Sequence, residues 1–244
     1  MEINYYYGEI DWDVRCVLHL FDGKKGSKVL NVGAAEEHLS NILADNGFDV
    51  TGIDLRPYKG EAVLPYRIEI TINQDWEPRI QHQHKVFQNI PCRYRHIEGD
   101  FCESQKALGE FDAIVSTSAI EHFGLGDKNG VSPWYGKTVL NKLYDCVAMQ
   151  GIWNCLKPGG AAYITVPYAR DFLEVPPYYR VYDRKSLQDR IIGGFAVEKK
   201  LFFLSMPIDR MGNGGDEISE RDADCYNGTP PHVTVFLKLR KEIQ

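Results

Sequence analysis

A glycine and a carboxylate stand where the first two predicted strands end, with a spacing typical of nucleotide-binding turns. Gly33 follows the apolar run at 28–32, and Asp54 closes the alternating run at 49–54, about 20 residues later. A glycine in a tight turn between a strand and a helix lets the backbone approach a ligand closely. A carboxylate at the end of the second strand accepts hydrogen bonds from ribose hydroxyls. Together they predict a βαβ unit that binds a nucleoside.

The turn itself reads GAAEEH and lacks the three glycines that cradle a pyrophosphate. Glu36 and Glu37 at the start of the helix would repel a phosphate, whereas they suit a ligand with a sulfonium and an α-ammonium group. This charge pattern favours S-adenosylmethionine (SAM) over NAD. The alternative is an ordinary βαβ turn, in which two acids in the first turn stabilise the helix dipole.

A candidate acid–base pair, Glu121-His122, follows the strongly apolar run at 111–116. In open α/β sheets, ligands bind at the carboxyl ends of the parallel strands, so this pair is expected near the nucleoside site. An imidazole titrates close to neutral pH, which makes His122 our first choice of general base. Glu121 would orient His122 or touch the cofactor. The alternative is that the pair only caps or packs the following loop.

Further candidates for substrate binding follow the predicted strand at 161–166. Tyr168 is a candidate contact to the acceptor, and Arg170, beside Asp171, would hold a carboxylate or phosphate with two hydrogen bonds. The alternative is a rigid proline turn with a surface salt bridge. Trp76 is a fourth candidate, because aromatic rings stack on ring or sugar faces. Acceptor recognition is expected in the variable segments around it and at 5–12, 124–135, 176–180 and 212–231.

No metal site is expected. His82 and His84 share a face only on a strand, and no third ligand is evident. A metal-assisted transfer using carboxylates near Asp127 and Asp171 is the minor alternative. The six cysteines have no CxxC spacing and are expected to be free thiols.

The elements that must position these residues alternate along the chain, which predicts an α/β fold. We predict strands at 28–32, 49–54, 93–97, 111–116 and 161–166, and helices at 36–46, 139–156 and 183–192. Segments 195–204 and 232–239 are expected to pair as an antiparallel closing hairpin. The insertion at 57–91 is expected to be extended around 67–72 and helical around 77–88, and 212–231 to be a polar loop.

These elements predict a Rossmann-like, doubly wound, seven-stranded, mostly parallel sheet with an antiparallel closing hairpin, in a single domain over 1–244. Residues 1–27 form an N-terminal cap, 28–204 the core with its insertion, 205–231 a variable loop and 232–239 the last strand.

The formal net charge of −6 bears on the partners of this 244-residue chain. Proteins that bind nucleic acid usually carry a basic face, so a nucleic-acid partner is not expected. The N-terminal sequence lacks the basic start and apolar centre of a signal peptide. No apolar run approaches the ~20 residues that cross a bilayer. We therefore expect a cytoplasmic protein without a membrane partner, and its oligomeric state stays open.

Five segments, in the correct order, resemble the motifs of class I SAM-dependent methyltransferases. They are VLNVGAAEEHLSNILADNGFDVTGIDLRP, EGDF, FDAIVSTSAIEHFGLG, LKPGGAAYITVP and RVYDRKSLQDRIIGGFAVEKKLFF, which together span about 28–204. The family often has an acid before the first glycine and two further glycines in the turn. Here Asn31, Ala35 and Glu37 occupy those places.

The resemblance implies a SAM site built by residues after the first four strands. Gly33 and Asp54 would line the methionine and ribose parts of the cofactor. Asp100 would hydrogen-bond the adenine and Phe101 would stack on it. Ser116 and Thr117 would face the transferable methyl group. The full implied set is Gly33, Ala34, Glu36, Asp54, Leu55, Asp100, Phe101, Ser116 and Thr117.

The function that the resemblance implies is methyl transfer from SAM to an oxygen or nitrogen of a small-molecule or glycan acceptor. The loop SAIEHFGLG also resembles a subgroup linked to polysaccharide or sugar modification. The alternatives are an RNA or protein methyltransferase, a non-catalytic SAM-fold subunit that needs a partner, and an NAD-dependent oxidoreductase. The acidic balance disfavours RNA, and the missing glycines disfavour NAD.

Overall fold

The structure of the chain is a computed structural model. It describes residues 12–34, 39–58, 61–63, 69–72, 78–81, 86–89, 92–132, 136–137, 140–204, 216–228 and 233–242. Side chains are described for most of these residues, but not for the four short strands between 61 and 89. The helix start at 36–38, Glu36 and Trp76 lie outside the described residues, as do His82 and His84.

A single large sheet runs through the described part of the chain. Its strands are β1 (Lys28–Val32), β2 (Asp49–Asp54), β3 (Arg95–Glu98), β4 (Phe111–Thr117), β5 (Leu156–Tyr168), β6 (Ala196–Leu204), β7 (Glu217–Ile218) and β8 (Val233–Arg240). The order across the sheet is β7-β6-β8-β5-β4-β1-β2-β3. Strands β1 to β5 are parallel, whereas β8 runs antiparallel to both β5 and β6. The Rossmann-like, mostly parallel sheet with its antiparallel closing pair is confirmed, with β7 as an additional two-residue edge strand.

Helices lie on both faces of this sheet. They are α1 (Trp12–Leu20), α2 (Leu39–Asp45), α3 (Phe101–Leu108), α4 (Tyr144–Cys155), α5 (Arg184–Ser186) and α6 (Glu220–Ala223). A π-helical turn, Leu187–Ile192, continues α5, and a 3₁₀ turn, Ile120–His122, follows β4. The predicted helix at 183–192 is confirmed, and Asp183 caps it by accepting a hydrogen bond from the Ser186 backbone N–H at 2.6 Å. No described helix is long and apolar enough to span a membrane.

The alternation of side chains along β4 divides the core into two layers. Ile114 packs with residues of α4 in one buried cluster, whereas Ala113 and Val115 pack with residues of α1 and α2 in the other. Successive residues of a strand point to opposite faces, so a run that is apolar throughout must be covered on both sides. This burial holds the carboxyl ends of β1 to β4 in a fixed arrangement at one edge of the sheet.

The segment between β2 and β3 corrects one prediction. The helix expected at 77–88 is wrong, because Pro78–Gln81 and Val86–Asn89 are strands. They pair antiparallel with Glu69–Ile72, where extended structure was expected, and with Glu61–Val63. The apolar residues of the segment do not recur at helical spacing, and a proline is tolerated at the first position of a strand.

Three further boundaries differ from the predictions. The helix expected at 139–156 begins at Tyr144, because the Asn141 side chain accepts a hydrogen bond from the Leu143 N–H at 2.9 Å and forms a turn instead. The strand expected at 161–166 extends over Leu156–Tyr168, and residues 157–160 form a bulge inside it, with Gly159 at φ +75°. The loop expected at 212–231 contains β7 and α6 in its described part.

Candidate functional site

A pocket of about 430 Å³ opens at the carboxyl ends of β1, β2 and β3. Its wall contains six of the residues singled out from the sequence: Gly33, Asp54, Leu55, Asp100, Phe101 and His122. The remaining lining residues are Ile53, Gly99, Phe123, Gly124 and Tyr144. The structure thus gathers residues from five separate segments of the chain around one cavity.

The turn after β1 requires glycine at position 33. Gly33 has φ +88°, and its N–H donates a hydrogen bond to the Ile53 carbonyl oxygen at 2.9 Å. The Ala34 N–H donates to the same carbonyl at 3.3 Å. A Cβ atom built on Gly33 would lie 2.4 Å from the Cβ of Ala119. Only a glycine lets β1 end this close to the loop that follows β4.

The carboxylate of Asp54 lies at the end of β2 and is 5% exposed. Its Oδ1 accepts hydrogen bonds from the Arg56 backbone N–H at 2.9 Å and from the Arg56 Nε at 3.2 Å. These bonds fix the orientation of the carboxylate at the pocket wall. Leu55, between the two residues, is 37% exposed and adds an apolar surface to the same wall.

Asp100 and Phe101 form the next part of the wall, at the point where β3 passes into α3. Asp100 is the N-cap of α3, and its Oδ1 accepts a hydrogen bond from the Cys102 N–H at 2.8 Å. Burial raises the pKa of the Asp100 carboxyl above its ordinary value. Phe101 is buried in the core cluster and touches the pocket, and Tyr144 at the start of α4 also faces the cavity.

His122 lies in the pocket wall as a half-buried, neutral imidazole. Burial is the largest effect and lowers its pKa, and the nearby cations of Arg56 and Arg180 act in the same direction. Backbone hydrogen bonds with Tyr178 and Ser118 oppose this shift. The ring Nδ1 donates to the Tyr178 carbonyl oxygen at 2.5 Å, which orients the ring. His122 is therefore uncharged at neutral pH and is able to accept a proton.

Glu121 lies behind His122, outside the pocket lining. Its side chain is 2% exposed, and its Oε1 is 3.9 Å from the Nε2 of His122. A carboxylate at this distance stabilises an imidazolium if His122 takes up a proton. The arrangement is consistent with an orienting role for Glu121 and offers no direct contact with a ligand in the pocket.

Three residues of the implied cofactor set are buried away from the cavity. Ala34 and Ser116 have no exposed surface, and Thr117 is 2% exposed. The Ser116 hydroxyl donates to the Val32 carbonyl oxygen at 2.9 Å and so ties β4 to β1. The structure does not place Ser116 and Thr117 where they would face a ligand, because their side chains belong to the strand packing.

The substrate candidates after β5 are also outside the pocket. Tyr168 is completely buried, and its hydroxyl donates to Asp224 Oδ1 at 2.6 Å. Arg170 and Asp171 are largely exposed and form a salt bridge with each other, Nε to Oδ2, at 3.0 Å. This pair matches the alternative of a surface salt bridge. Tyr168 was expected at the sheet edge, but β5 extends to this residue and draws it into the core.

Four lining residues were not identified from the sequence, and a fifth, Gly124, was expected only as the start of the acceptor-recognition segment 124–135. Phe123 and Gly124 directly follow His122, so the loop that carries the candidate base was the available signal. The same signal was available for Gly99 and Ile53, because Gly99 directly precedes Asp100 and Ile53 directly precedes Asp54. Tyr144 gave no signal of its own, because it is brought to the pocket by the position at which α4 begins.

Among the described residues, no group of three or more His, Cys, Asp or Glu side chains is arranged to hold a metal ion. All six cysteines are free thiols, as expected from their spacing. Burial raises the pKa of Cys102, which lies next to the pocket residue Phe101. This thiol is therefore uncharged at neutral pH.

The chain matches known proteins at the level of family and fold. Residues 14–201 match the family model described as a methyltransferase domain. No protein of curated function matches the chain by sequence. Three solved structures with similar folds are a putative methyltransferase from Bacillus halodurans, a TehB-like SAM-dependent methyltransferase from Corynebacterium glutamicum and the N-methyltransferase NodS from Bradyrhizobium japonicum bound to S-adenosylhomocysteine (SAH).

These three similarities cover nearly the whole chain. The first has a TM-score of 0.52 at 14% identity and covers 95% of this chain and 99% of the other. The second has a TM-score of 0.50 at 17% identity, with 98% and 90% covered. The third has a TM-score of 0.50 at 12% identity, with 93% and 85% covered.

Proposed function

Because the chain belongs to the class I SAM-dependent methyltransferase family, we propose that it transfers the methyl group of SAM to an oxygen or nitrogen of a small-molecule or glycan acceptor. The observation that carries this proposal is the convergence of Gly33, Asp54, Asp100 and His122 on one pocket. Three of these positions suit a nucleoside, and the fourth is a neutral base.

The residues present fit SAM at three points of the pocket. The backbone at Gly33 and Gly99 has no side chain to obstruct a ligand, and both residues line the cavity. Asp54 offers a buried, oriented carboxylate, which suits ribose hydroxyls. Asp100 and Phe101 offer a hydrogen-bonding group and an aromatic ring, which suit the adenine. We assign these residues to cofactor binding, together with Leu55, and extend the assignment to Glu36 for the positively charged end.

Bound SAM supplies an electrophilic methyl group on a sulfonium, and the chain supplies position and a base. Transfer in line needs the acceptor atom aligned with the methyl group, and an oxygen acceptor must also lose its proton. We assign that proton to His122, which is uncharged and fixed by the Tyr178 carbonyl. Glu121 would then stabilise the imidazolium that forms. With SAM bound, His122 would take the proton of the acceptor as the acceptor atom displaces sulfur from the methyl carbon, so that the carbon–sulfur bond breaks and SAH leaves.

The surface beside His122 supports an acceptor with a ring or an apolar face. The side chain of Tyr178 is 45% exposed, although its carbonyl oxygen is held by His122. Leu55, which follows the carboxyl end of β2, is 37% exposed. Aromatic and aliphatic side chains in such positions pack on the face of a sugar or a small ring. The net charge of −6 offers no support for a polyanionic acceptor.

The proposal is tested first by calorimetric titration of the purified protein with SAM and SAH. Asp54→Asn is expected to weaken binding about tenfold or more, since a hydrogen bond to a charged group contributes ~1.5–3 kcal/mol. Asp49→Asn is the matched control, because Asp49 lies at the exposed start of the same strand. Equal affinity of the wild type and Asp54→Asn would contradict the assignment of the ribose site.

The acceptor is then sought by measuring SAH release with panels of sugars, small phenols and amines, with RNA and peptides as competing classes. His122→Gln is expected to lower kcat on an oxygen acceptor ~10²–10⁴-fold, the usual contribution of a general base. SAH binding should be retained in this variant. Turnover with RNA or peptides alone would overturn the proposal of a small acceptor.

A further inference from the structure

Arg180 is a completely buried arginine to which the sequence analysis assigns no role at the pocket. It lies on the hairpin formed by Leu173–Val175 and Tyr179–Val181, which we call the 173–181 hairpin. Its guanidinium has no exposed surface, although an isolated charge is costly to bury. The contacts of the guanidinium must therefore compensate for its lost hydration. The residues that make these contacts show which parts of the molecule Arg180 connects.

The guanidinium donates to the backbone of the loop that carries His122. Its Nη1 bonds the Phe123 carbonyl oxygen at 2.6 Å and lies 3.4 Å from that of Glu121. These two carbonyls flank His122, and Phe123 itself lines the pocket. The planar fork of an arginine binds such a pair of acceptors in a fixed geometry, which a lysine cannot reproduce.

The same side chain also reaches the segment before α4 and two acids. Its Nη2 lies 3.4 Å from the Lys142 carbonyl oxygen, close to the pocket residue Tyr144. Its Nε bonds Glu174 Oε1 at 3.2 Å and lies 3.8 Å from Asp145 Oδ2. Arg180 thus connects the 173–181 hairpin to both segments that form the far wall of the pocket.

We propose that Arg180 is a positioning residue, which locks the 173–181 hairpin to the loop at 121–124 and thereby holds His122 and Phe123 in place around the bound cofactor and acceptor. The inference rests on the proposed function of the pocket. The Tyr178 carbonyl of the hairpin bonds the His122 ring, so the hairpin holds both the imidazole and the backbone on each side of it. The hairpin and the base therefore move as one unit.

Arg190 provides a matched control within the same cluster. It bonds both carboxylate oxygens of Asp145 at 2.7 Å, and its Nη2 bonds the Lys142 carbonyl oxygen at 2.5 Å. Its other described contact is with the ring of Phe172. Arg190 therefore shares two partners with Arg180, but its described contacts do not include the loop at 121–124. Substitution of either arginine should lower the stability of the protein. Only substitution of Arg180 should also release the 173–181 hairpin from the loop at 121–124.

The first measurement compares Arg180→Lys with Arg190→Lys in the full chain. We expect Arg180→Lys to weaken SAH binding about tenfold, because hydrogen bonds to a charged group are lost at the pocket wall. Arg190→Lys should bind SAH within about twofold of the wild type, at a comparable loss of thermal stability. Wild-type affinity in Arg180→Lys, or an equal loss in Arg190→Lys, would overturn the inference. Failure of the wild type to bind SAH would instead contradict the proposed cofactor site.

The second measurement is the titration of His122 by NMR of protein labelled in its histidine rings, with His122→Gln for assignment. The charged groups around the ring are Glu121 on its own turn, Arg180 on the hairpin, Arg56 after β2, and the pocket acids Asp54 and Asp100. Arg180→Met removes one cation, so the pKa of His122 should rise, whereas Arg180→Lys should leave it nearer the wild-type value. An unchanged titration in Arg180→Met would contradict the placement of Arg180 beside the base.

Discussion

Replacing Gly33 by alanine tests whether the turn after β1 is fixed by backbone geometry. Gly33 has φ +88°, and a left-handed conformation costs an L-residue about 1–2 kcal/mol. The added Cβ would lie 2.4 Å from the Cβ of Ala119, and relieving such an overpacked contact costs about 1–3 kcal/mol. The free energy of unfolding should therefore fall by about 2–5 kcal/mol, out of the ~5–15 kcal/mol typical of a domain.

The two parts of this loss are separable by a double-mutant cycle with Ala119→Gly, measured by urea denaturation. Ala119→Gly alone should cost about 1 kcal/mol, since a buried methyl group is lost. In the double variant the clash is gone, so the coupling energy should recover about 1–3 kcal/mol, while the conformational cost at Gly33 remains. A coupling energy below about 0.5 kcal/mol would refute the close contact. A loss below about 1 kcal/mol in Gly33→Ala would refute the reasoning on both counts.

The side chains around the site give four further predictions. Because burial holds the pKa of His122 below its ordinary value, kcat/KM should stay constant at neutral pH and fall only as pH drops below about 6.5. The same lowered pKa affects stability: the contribution of neutral His122 to the free energy of unfolding is present above about pH 6.5 and is lost as pH falls through the pKa of the folded state. In His122→Gln, the free energy of unfolding should therefore decrease less steeply on the acid side of the pH profile. Ser116→Ala removes the bond to the Val32 carbonyl and should cost about 1 kcal/mol in urea denaturation. Asp145→Asn leaves Arg180 and Arg190 without their shared carboxylate, so the free energy of unfolding should fall by about 3–5 kcal/mol. A fall below about 1 kcal/mol would contradict the buried cluster of charges formed by these three residues.

The parallel strands of the central sheet were predictable because each of them has a local signal in the sequence. The run at 28–32 ends on a glycine, and 111–116 is apolar throughout, so the pattern alone fixes a buried parallel strand. The segment at 77–88 misled the prediction, because its strands are defined by antiparallel partners rather than by their own residues. The start of α4 was placed too early for a related reason, since the polar side chain of Asn141 makes a turn that hydrophobic spacing does not reveal.

Of the site residues proposed from the sequence, some line the pocket in the structure and others do not. Gly33 and Asp54 were placed at the candidate site because they stand at the ends of the first two strands, and parallel strands bring their carboxyl ends to one edge. Asp100 was placed there by the resemblance of the segment EGDF to a family motif. Ser116 was placed at the pocket by the same logic, but its side chain points into the strand packing and bonds Val32. Position at a strand end thus predicts proximity to the pocket, whereas the alternation of the strand decides which side chains reach it.

The environment of the candidate base comes from a distant part of the chain. The carbonyl that orients His122 belongs to Tyr178, and the guanidinium that holds the neighbouring Phe123 carbonyl belongs to Arg180. Both lie on the 173–181 hairpin, after β5, and no local pattern at 121–124 indicates them. The proposed cofactor contacts come from strand ends, whereas the proposed base is oriented by this hairpin. A change in the turn of the hairpin is therefore expected to alter the use of the acceptor while it leaves the nucleoside contacts intact. Substitutions of Tyr178 should therefore change KM for the acceptor, with the affinity for SAH unchanged, whereas substitutions of Arg180 should change both, because its bonds reach the wall that the cofactor and the acceptor share.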